Sequence, residues 1–471
     1  MKKPLMLIAA FMFATVANAQ VSAEQVAASV KQPRIGKTQF RIEAARDSAE
    51  CRLTELQTLV DNCSKAGGGR VCVGAGVYYL AGPLNMRSGV ELHLEKGARL
   101  KFSGRASDFL PAVFTRWEGT ELFNRSAMIY ARNAHDIAIT GSGVIDAQGG
   151  LEMASWGMVP GETAFEENVH GTHGVTVEKP DVDRLRHLGE TLAPITDRMF
   201  GAEAHLRPCA VEFVECSRIL IDGITLRNSP FWCIHPLYSN NVTVRGVTID
   251  SHFPNNDGCD PESSADVLIE KCVFNTGDDA IAIKAGRDAD GRAVGRPSRR
   301  IVIRDCVFNS HCNGLCIGSE MSGGVSDVFM KRVKIGKVKN ALLFKSNLDR
   351  GGYIRRVEVD SINIVGAEGA VLRFETNYFG YRGGNFPAQY EDFTISNVNA
   401  GFANGYAVYY DGNAQCPIRN IDVSNFCVGR AAVPYYLYHT TDCTFRSSMV
   451  GGETLPERPA NSPEHRNCDV W

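Results

Sequence analysis

From residue 219 onward the chain repeats one pattern. Apolar residues stand at i, i+2, i+5 and i+7, and a polar or glycine pair fills i+3 and i+4. It reads Ile219, Ile221, Ile224, Leu226, then Val242, Val244, Val247, Ile249, then Val267, Ile269, Cys272, Phe274. Copies follow from Ile301, Val328, Val357 and Phe393, and the last clear one is Ile421, Val423, Phe426, Val428. Successive starts are separated by 23, 25, 34, 27, 29, 36 and 28 residues. Each half of the pattern has period two, the signature of a short strand with alternate side chains turned inward. The change of phase at i+3 and i+4 predicts a bend, for which Asp222-Gly223 and Arg245-Gly246 are natural turn pairs. A third short apolar strand follows each unit, as at Trp232 to Ile234, Ile281 to Ile283 and Leu315 to Ile317.

One such coil cannot bury its inner face alone and must stack on its neighbours. The fold predicted is all-β, a single-domain right-handed parallel β-helix. A leucine-rich repeat needs its own Leu/Asn consensus, and a propeller needs four strands per period. Asn275 and Asn309 share position i+8, a place for a side-chain ladder between coils. The two long intervals predict insertions at 287–299 and 378–390. A third stretch, 151–198, lacks the repeat and reads as a long excursion over one side of the solenoid. Leu53, Leu56 and Val60 have helical spacing and predict an N-terminal helical cap. The expected layout is a signal peptide over 1–19, a linker over 20–44, the β-helix over 45–440 and a tail or cap over 441–471.

Lys2 and Lys3, an apolar run to Val16 and Ala17-Asn18-Ala19 carry the marks of a secretory signal. That run is shorter than the roughly 20 residues of a membrane span. The expectation is an exported protein, periplasmic or secreted, with no membrane span and acting as a monomer. A net charge of −3 argues against a nucleic-acid partner. In an exported chain, fifteen cysteines raise the question of disulfides. Cys272 and Cys306 occupy one slot of successive repeats and read as stacked core fillers. Cys51, Cys63, Cys72, Cys416, Cys443 and Cys468 are the disulfide candidates. His170 and His173 form an H-x-x-H without further ligands nearby and read as loop. No metal and no cofactor is expected.

Asn256-Asp257-Gly258 and Gly277-Asp278-Asp279 lie about one repeat apart, so stacking brings three carboxylates together. Clustered carboxylates suit glycoside hydrolysis, in which one protonates the leaving oxygen and another activates water. Coils spaced roughly 4.8 Å apart allow the roughly 6.5–9.5 Å separation of an inverting pair once the side chains splay. Crowding Asp278 between two other acids raises one pKa and keeps an acid protonated.

These segments, with Phe114-Thr115-Arg116-Trp117-Glu118-Gly119, Ser229-Pro230-Phe231-Trp232, Asp260-Pro261, Ala280-Ile281-Ala282-Ile283-Lys284 and Ile317-Gly318-Ser319-Glu320, resemble glycoside hydrolase family 28, the polygalacturonase-like pectin hydrolases. The resemblance runs over residues 45 to 430 and implies the same pectin-lyase-like solenoid. It implies Asp278 as the general acid, Asp257 and Asp279 as holders of the attacking water, inversion at the anomeric carbon, and a pectic polysaccharide or oligosaccharide as the partner. Two positions depart from the family pattern. Asn313 stands where a histidine is expected, with His311 two residues earlier. Leu343-Phe344-Lys345 stands where an Arg-Ile-Lys grips the sugar carboxylate, so the arginine is missing and Lys345 is kept. A lysine cannot replace an arginine's two-pronged grip on a carboxylate.

The expected substrate-binding set is Asn313, Lys345, His311, His235, Asp260 and Tyr378. Trp232 lines the cleft or packs in the core. Lys284 faces the cleft or caps a coil, and Arg350 supplies the missing cation or is a solvated turn residue. The function expected is hydrolysis of α-linked galacturonic-acid-containing pectin. Rhamnogalacturonan or substituted pectin is the alternative substrate. A polysaccharide lyase and a non-catalytic carbohydrate-binding β-helix are the competing classes.

Overall fold

The computed structural model describes residues 21–45, 47–159 and 175–463. The signal segment 1–19, His170, His173 and Cys468 lie outside the described residues. The repeat builds the expected right-handed parallel β-helix. Strand Ser217–Asp222 pairs in parallel with Asn240–Arg245, then Ala265–Glu270, then Ser298–Arg304. Registers match the sequence phase, so Ile219, Val242, Val267 and Ile301 stack at i, all fully buried. The i+5/i+7 strands Thr225–Arg227, Thr248–Ser251, Val273–Thr276 and Val307–Ser310 form a second parallel face.

The bend between the two faces has one cause repeated. Position i+4 adopts the left-handed conformation in eight successive coils, with φ between 50° and 80° from Gly223 to Asn425. Where that residue is charged, stacked partners brace it, as when Arg332 donates to Asp305 at 2.7 and 2.9 Å. The Asn ladder forms as predicted, with Asn309 Nδ2 donating to Asn275 Oδ1 at 2.9 Å.

The third face carries Ile234–Leu237, Ile281–Ile283 and Asn313–Ile317. The coil between the first two makes only single bridges there, Cys259 to Ile234 and Ile281, and Glu262 to Leu237 and Lys284. Pro261, which lacks an N–H, sits between those bridges. Farther on, the separate strands merge into Val325–Lys345 and Tyr353–Glu375, which run around all three faces.

The first helix, α1 (Ala23–Ser29), lies in the stretch expected to be a linker. It packs Ala23, Val26 and Val30 on Leu268, Val302 and Phe329, on the outside of the solenoid. Strand Thr38–Ile42 then pairs with Gly69–Val73 as the first rung, so the solenoid begins before residue 45. The period-two pattern of this single strand is too short to be read without its partner. Helix α2 (Leu53–Lys65) is the expected cap and buries Leu56, Val60 and Cys63. The far boundary also shifts. Thr440–Arg446 pairs in parallel with the preceding rung, and the hairpin of Met449–Val450 with Glu453–Thr454 follows.

The fourteen described cysteines are all free. Cys51, Cys63, Cys72, Cys416 and Cys443 therefore form no disulfides, against expectation. Cys63 points from α2 into the core, whereas Cys72 is an outward position of its strand. Cys272 and Cys306 are buried in adjacent rungs, as core fillers. Only Cys51 and Cys427 among the described thiols are exposed. In native protein these two should be alkylated first, and peptide mapping of the label checks it.

Candidate active site

Third-face register decides which side chains meet. Outward positions fall into columns running along the solenoid axis. Ile234, Cys259 and Ile281 are in register, as are Ile281 and Leu315. Counting from these pairs places Trp232, Asp257, Asp279 and Asn313 in one column. A second column contains His235, Asp260, Ala282, Cys316 and Leu343, and a third contains Glu262, Lys284, Gly318 and Lys345. Asp257 thus sits one rung from Asp279, confirmed by Gly258 N–H donating to Asp279 O at 3.0 Å. Asp278 enters from the turn after Val273–Thr276.

Asp257, Asp278 and Asp279 line one cavity of about 190 Å³ together with Trp232, Lys284, Lys345, Arg350 and Tyr378. Glu118, Asn255, Arg287, Ser319, Glu320, Phe379 and Gly380 complete its wall. The cavity is smaller than the roughly 300–1,000 Å³ of sites for drug-sized ligands, closer to one sugar ring than to a chain.

Electrostatics divides the acids. Burial and the neighbouring Asp279 push the Asp278 carboxyl above its usual range. Burial, then Asp260 and Asp278, push Asp257 well above it. Asp279 is also buried, but Lys345, Lys284 and Asn313 draw it below the usual range. Lys345 Nζ lies 3.6 Å from Asp279 Oδ2. One carboxyl that holds its proton to higher pH therefore neighbours one that gives it up at lower pH, the pairing acid/base chemistry needs. Glu320 sits well below its usual range despite burial, beside Lys284, Arg287 and Arg350. Its contacts to Lys284 and Arg287 are 3.3 and 3.1 Å.

Four of the expected substrate-binding residues lie elsewhere. Asn313 is buried behind Asp279. Its backbone N–H and side-chain amide donate to Asp279 Oδ1 at 3.2 and 2.5 Å, and Asn340 holds its carbonyl at 2.8 Å. It orients a carboxylate and does not line the cavity. His311 is exposed outside the cavity, edge-to-face with His252 at 5.5 Å. His235 is fully buried between Glu212 (2.9 Å) and Glu262 (3.0 Å). The strands Val113–Trp117 and Thr120–Asn124 form a hairpin that covers its coil, and Arg116 of that hairpin pairs with Glu262 at 3.1 Å. Asp260 is completely buried behind Asp257. Lys345 and Tyr378 do line the cavity, with Tyr378 Oη 3.4 Å from Lys345 Nζ.

The open alternatives resolve toward the cavity. Trp232 and Lys284 both line it, with Lys284 Nζ 4.6 Å from the ring centre. Arg350 reaches the wall from a later turn, donating to Ser319 O at 3.1 Å and pairing with Asp288. Leu343, in the vacated arginine position, packs with Ala282 and Cys316 as apolar floor. Arg287 and Glu118 were missed by sequence reasoning. Glu118 sits in the turn of the hairpin, where only the family resemblance marks it, and Arg287 opens an insertion whose direction no repeat phase encodes.

All three insertions converge on this cavity. From the excursion, α3 (Lys179–Glu190) sends Arg186 to Glu118. From the second, α4 (Asp288–Val294) places Asp288 against Arg350 and Arg382, and Arg292 over the Phe386 ring at 3.6 Å. Arg382, in the third, also reaches Glu190 of α3 at 3.8 Å.

Two groups bring three possible metal donors within 4.8 Å, namely Cys209, Glu212 and His235, and Asp278, Asp279 and Cys312. In the first, both His235 nitrogens are taken by glutamates. In the second, Asp279 is held by Asn313 and Lys345.

The sequence model of the Glycosyl hydrolases family 28 matches residues 199–443. A probable polygalacturonase of Vitis vinifera is 28% identical over 432 residues, spanning 87% of this chain and 77% of that protein. An endo-polygalacturonase of Pectobacterium parmentieri is 26% identical over 400 residues, 83% of this chain and 87% of its own length. Among solved structures, a hyperthermoactive exopolygalacturonase from Thermotoga maritima matches with a TM-score of 0.82 at 34% identity. That match covers 90% of this chain and 96% of that one. A family 28 exopolygalacturonase of Yersinia enterocolitica shares the fold, with a TM-score of 0.69 at 21% identity over 88% and 76% of the two chains.

Proposed function

The chain belongs to glycosyl hydrolase family 28, and from that membership we propose an exo-acting hydrolase of galacturonan that inverts anomeric configuration. The observation that carries it is a one-ring cavity holding three aspartates, two glutamates and four cations, with two of the insertions contributing to its wall through Arg287 and Tyr378. Asp278 protonates the glycosidic oxygen. Asp257 and Asp279 hold the water on the opposite face and take its proton. Lys284, Arg287, Lys345 and Arg350 give a terminal uronate its countercharge, with the two arginines supplying the planar fork that Leu343 cannot.

Exo action follows from the closed wall. Arg382–Asp288 and Arg382–Glu190 tie the insertions to one another, and Arg186–Glu118 ties the first of them to the hairpin. A wall tied in this way favours a chain end, which needs room on one side of the cavity only. The Thermotoga maritima and Yersinia enterocolitica proteins are named as exopolygalacturonases, which supports the reading. Digestion of polygalacturonan should yield monogalacturonate from the first minutes, with slow loss of viscosity. A ladder of oligomers at early times would reject the exo reading. NMR of the first-formed anomer tests inversion. Xylogalacturonan and rhamnogalacturonan, assayed in parallel, test the substituted substrates that Leu343 brings into view.

Export through residues 1–19 and a monomeric state complete the proposal. Among the described residues no helix is long and apolar enough to cross a membrane. Cell fractionation and sedimentation of the mature protein check both points.

A further inference from the structure

Asp260 was expected to touch substrate, yet it stands one layer behind the cavity with no exposed surface. Among the described residues no hydrogen-bond donor reaches either of its carboxyl oxygens. Its side chain does come within hydrogen-bonding reach of Asp257, which is another acceptor. Two carboxyl groups in contact with no donor between them can be joined only by a proton on one of them.

The charges around Asp260 give the same answer. Lys284 is 4.0 Å away, but that ammonium also faces Asp257 at 3.8 Å and Glu320 at 3.3 Å. His235 lies in the same outward column, and Glu212 and Glu262 already flank it at 2.9 and 3.0 Å. Asp279 adds a further negative charge, and Cys209, Cys233 and Cys259 are buried thiols that bring no cation. An ionised Asp260 would be a buried charge with no cation of its own, a costly state.

We propose that Asp260 is a neutral carboxylic acid that hydrogen-bonds Asp257 and fixes that carboxylate on the attacking water. The proton sits on Asp260 because Asp257 faces the cavity and its water, whereas Asp260 faces neither. Burial first, with Asp279 adding to it, pushes Asp260 up to about 8, and burial with Asp260 and Asp278 pushes Asp257 up as well, so the two carboxyls hold one proton between them and it rests on the one that no water reaches. Asp260 is a positioning residue, since it acts through Asp257 and does not touch substrate. The proposal rests on the reading that Asp257 serves the water.

The test compares Asp260→Asn with Asp260→Ala. An asparagine keeps a donor for Asp257 and an oxygen toward Lys284, without charge. D260N should hold kcat within about threefold of wild type. D260A should lose about 10- to 100-fold in kcat at unchanged KM, because it strips a buried hydrogen bond from Asp257. Substrate-free protein provides an independent readout. The infrared difference spectrum of wild type minus D260N at neutral pH should show the C=O stretch of a protonated carboxyl. Absence of that band overturns the proposal even if the enzyme is active, and so does a D260N variant as impaired as D260A. If no pectic substrate is cleaved, the function proposed above fails while the infrared band still decides the protonation of Asp260.

Discussion

Replacing Asp278 by asparagine is expected to lower kcat by about 10²–10⁴-fold, the usual contribution of a positioned general acid. The fold should not suffer. Asp278 Oδ1 accepts the Asp279 N–H at 2.8 Å, and an asparagine carbonyl can accept the same bond. The amide offers no proton acidic enough to reach the leaving oxygen. Stability should hold or rise. The folded-state pKa of Asp278 lies above its ordinary 3.8, through burial and Asp279. Such a group lowers stability as pH climbs from the unfolded value to the folded one, and the substitution removes that slope. Reducing-sugar release and thermal melting, measured together, check both halves. An aryl galacturonide with a good leaving group, which needs no proton, should recover most of the lost rate. Activity within tenfold of wild type on polygalacturonan would remove Asp278 from the acid role.

How much of this was legible in the sequence depends on what each residue's position follows from. Asp257, Asp278 and Asp279 were placed together because the repeat converts sequence spacing into stacking, and the structure adds only that Asp257 meets Asp279 one rung over. Lys345 lies on the same face by the same rule, as Tyr353–Glu375 and Val325–Lys345 keep the third face in register. His235 shows where the rule stops. Its phase is outward, as expected, but outward means toward the hairpin Val113–Trp117/Thr120–Asn124 on that coil and toward the cavity on the coils that follow, where Asp257 and Asp279 line it. Contacts between elements distant in sequence, such as Arg116 with Glu262, have no period to betray them. The same holds for Glu118, Arg287 and Arg382, whose places depend on insertions packing on one another. The family histidine and arginine positions are legible as absences, and their consequences are not. Asn313 turns the first into a support for Asp279, and Arg350 answers the second from a turn whose direction the sequence leaves open.

The disulfide expectation failed for a related reason. Cysteine count and export context argued for pairs, but in a solenoid most side chains meet the equivalent position of the next rung. Cys272 meets Cys306 in that way, packed as an apolar residue with its thiol pushed well up by burial. Cys63 faces the core from helix α2 and Cys72 faces outward from its strand, so the two do not meet although only eight residues lie between them.

Lys284 should be the most consequential cation to remove. Its Nζ is buried within 4.0 Å of three carboxyl groups, those of Glu320, Asp257 and Asp260, and packs 4.6 Å over Trp232. Lys284→Met keeps the stem against the indole and deletes only the charge. Breaking a buried ion cluster by removing one partner costs about 3–5 kcal/mol. Part of that should return by proton uptake. Glu320 now ionises well below its ordinary 4.5, held there by Lys284 and Arg287 against burial. Such a depressed acid contributes stability above its unfolded pKa and loses it as pH falls through the folded value. Lys284 itself, raised well above 10.5 by the acids around it, Glu320 first, against burial, contributes fully at every pH below 10.5. The deficit of K284M should therefore be largest near neutral pH and shrink toward pH 4, about the unfolded carboxylate pKa, as Asp257 and Glu320 take up protons in the variant. Catalysis should fall with it, by about 10²-fold or more, because an Asp257 that keeps its proton cannot take one from water. Denaturant unfolding of both proteins at the two pH values provides the measurement. An equal deficit at both would mean that Lys284 acts through packing on Trp232 and that the charges around it are balanced without it.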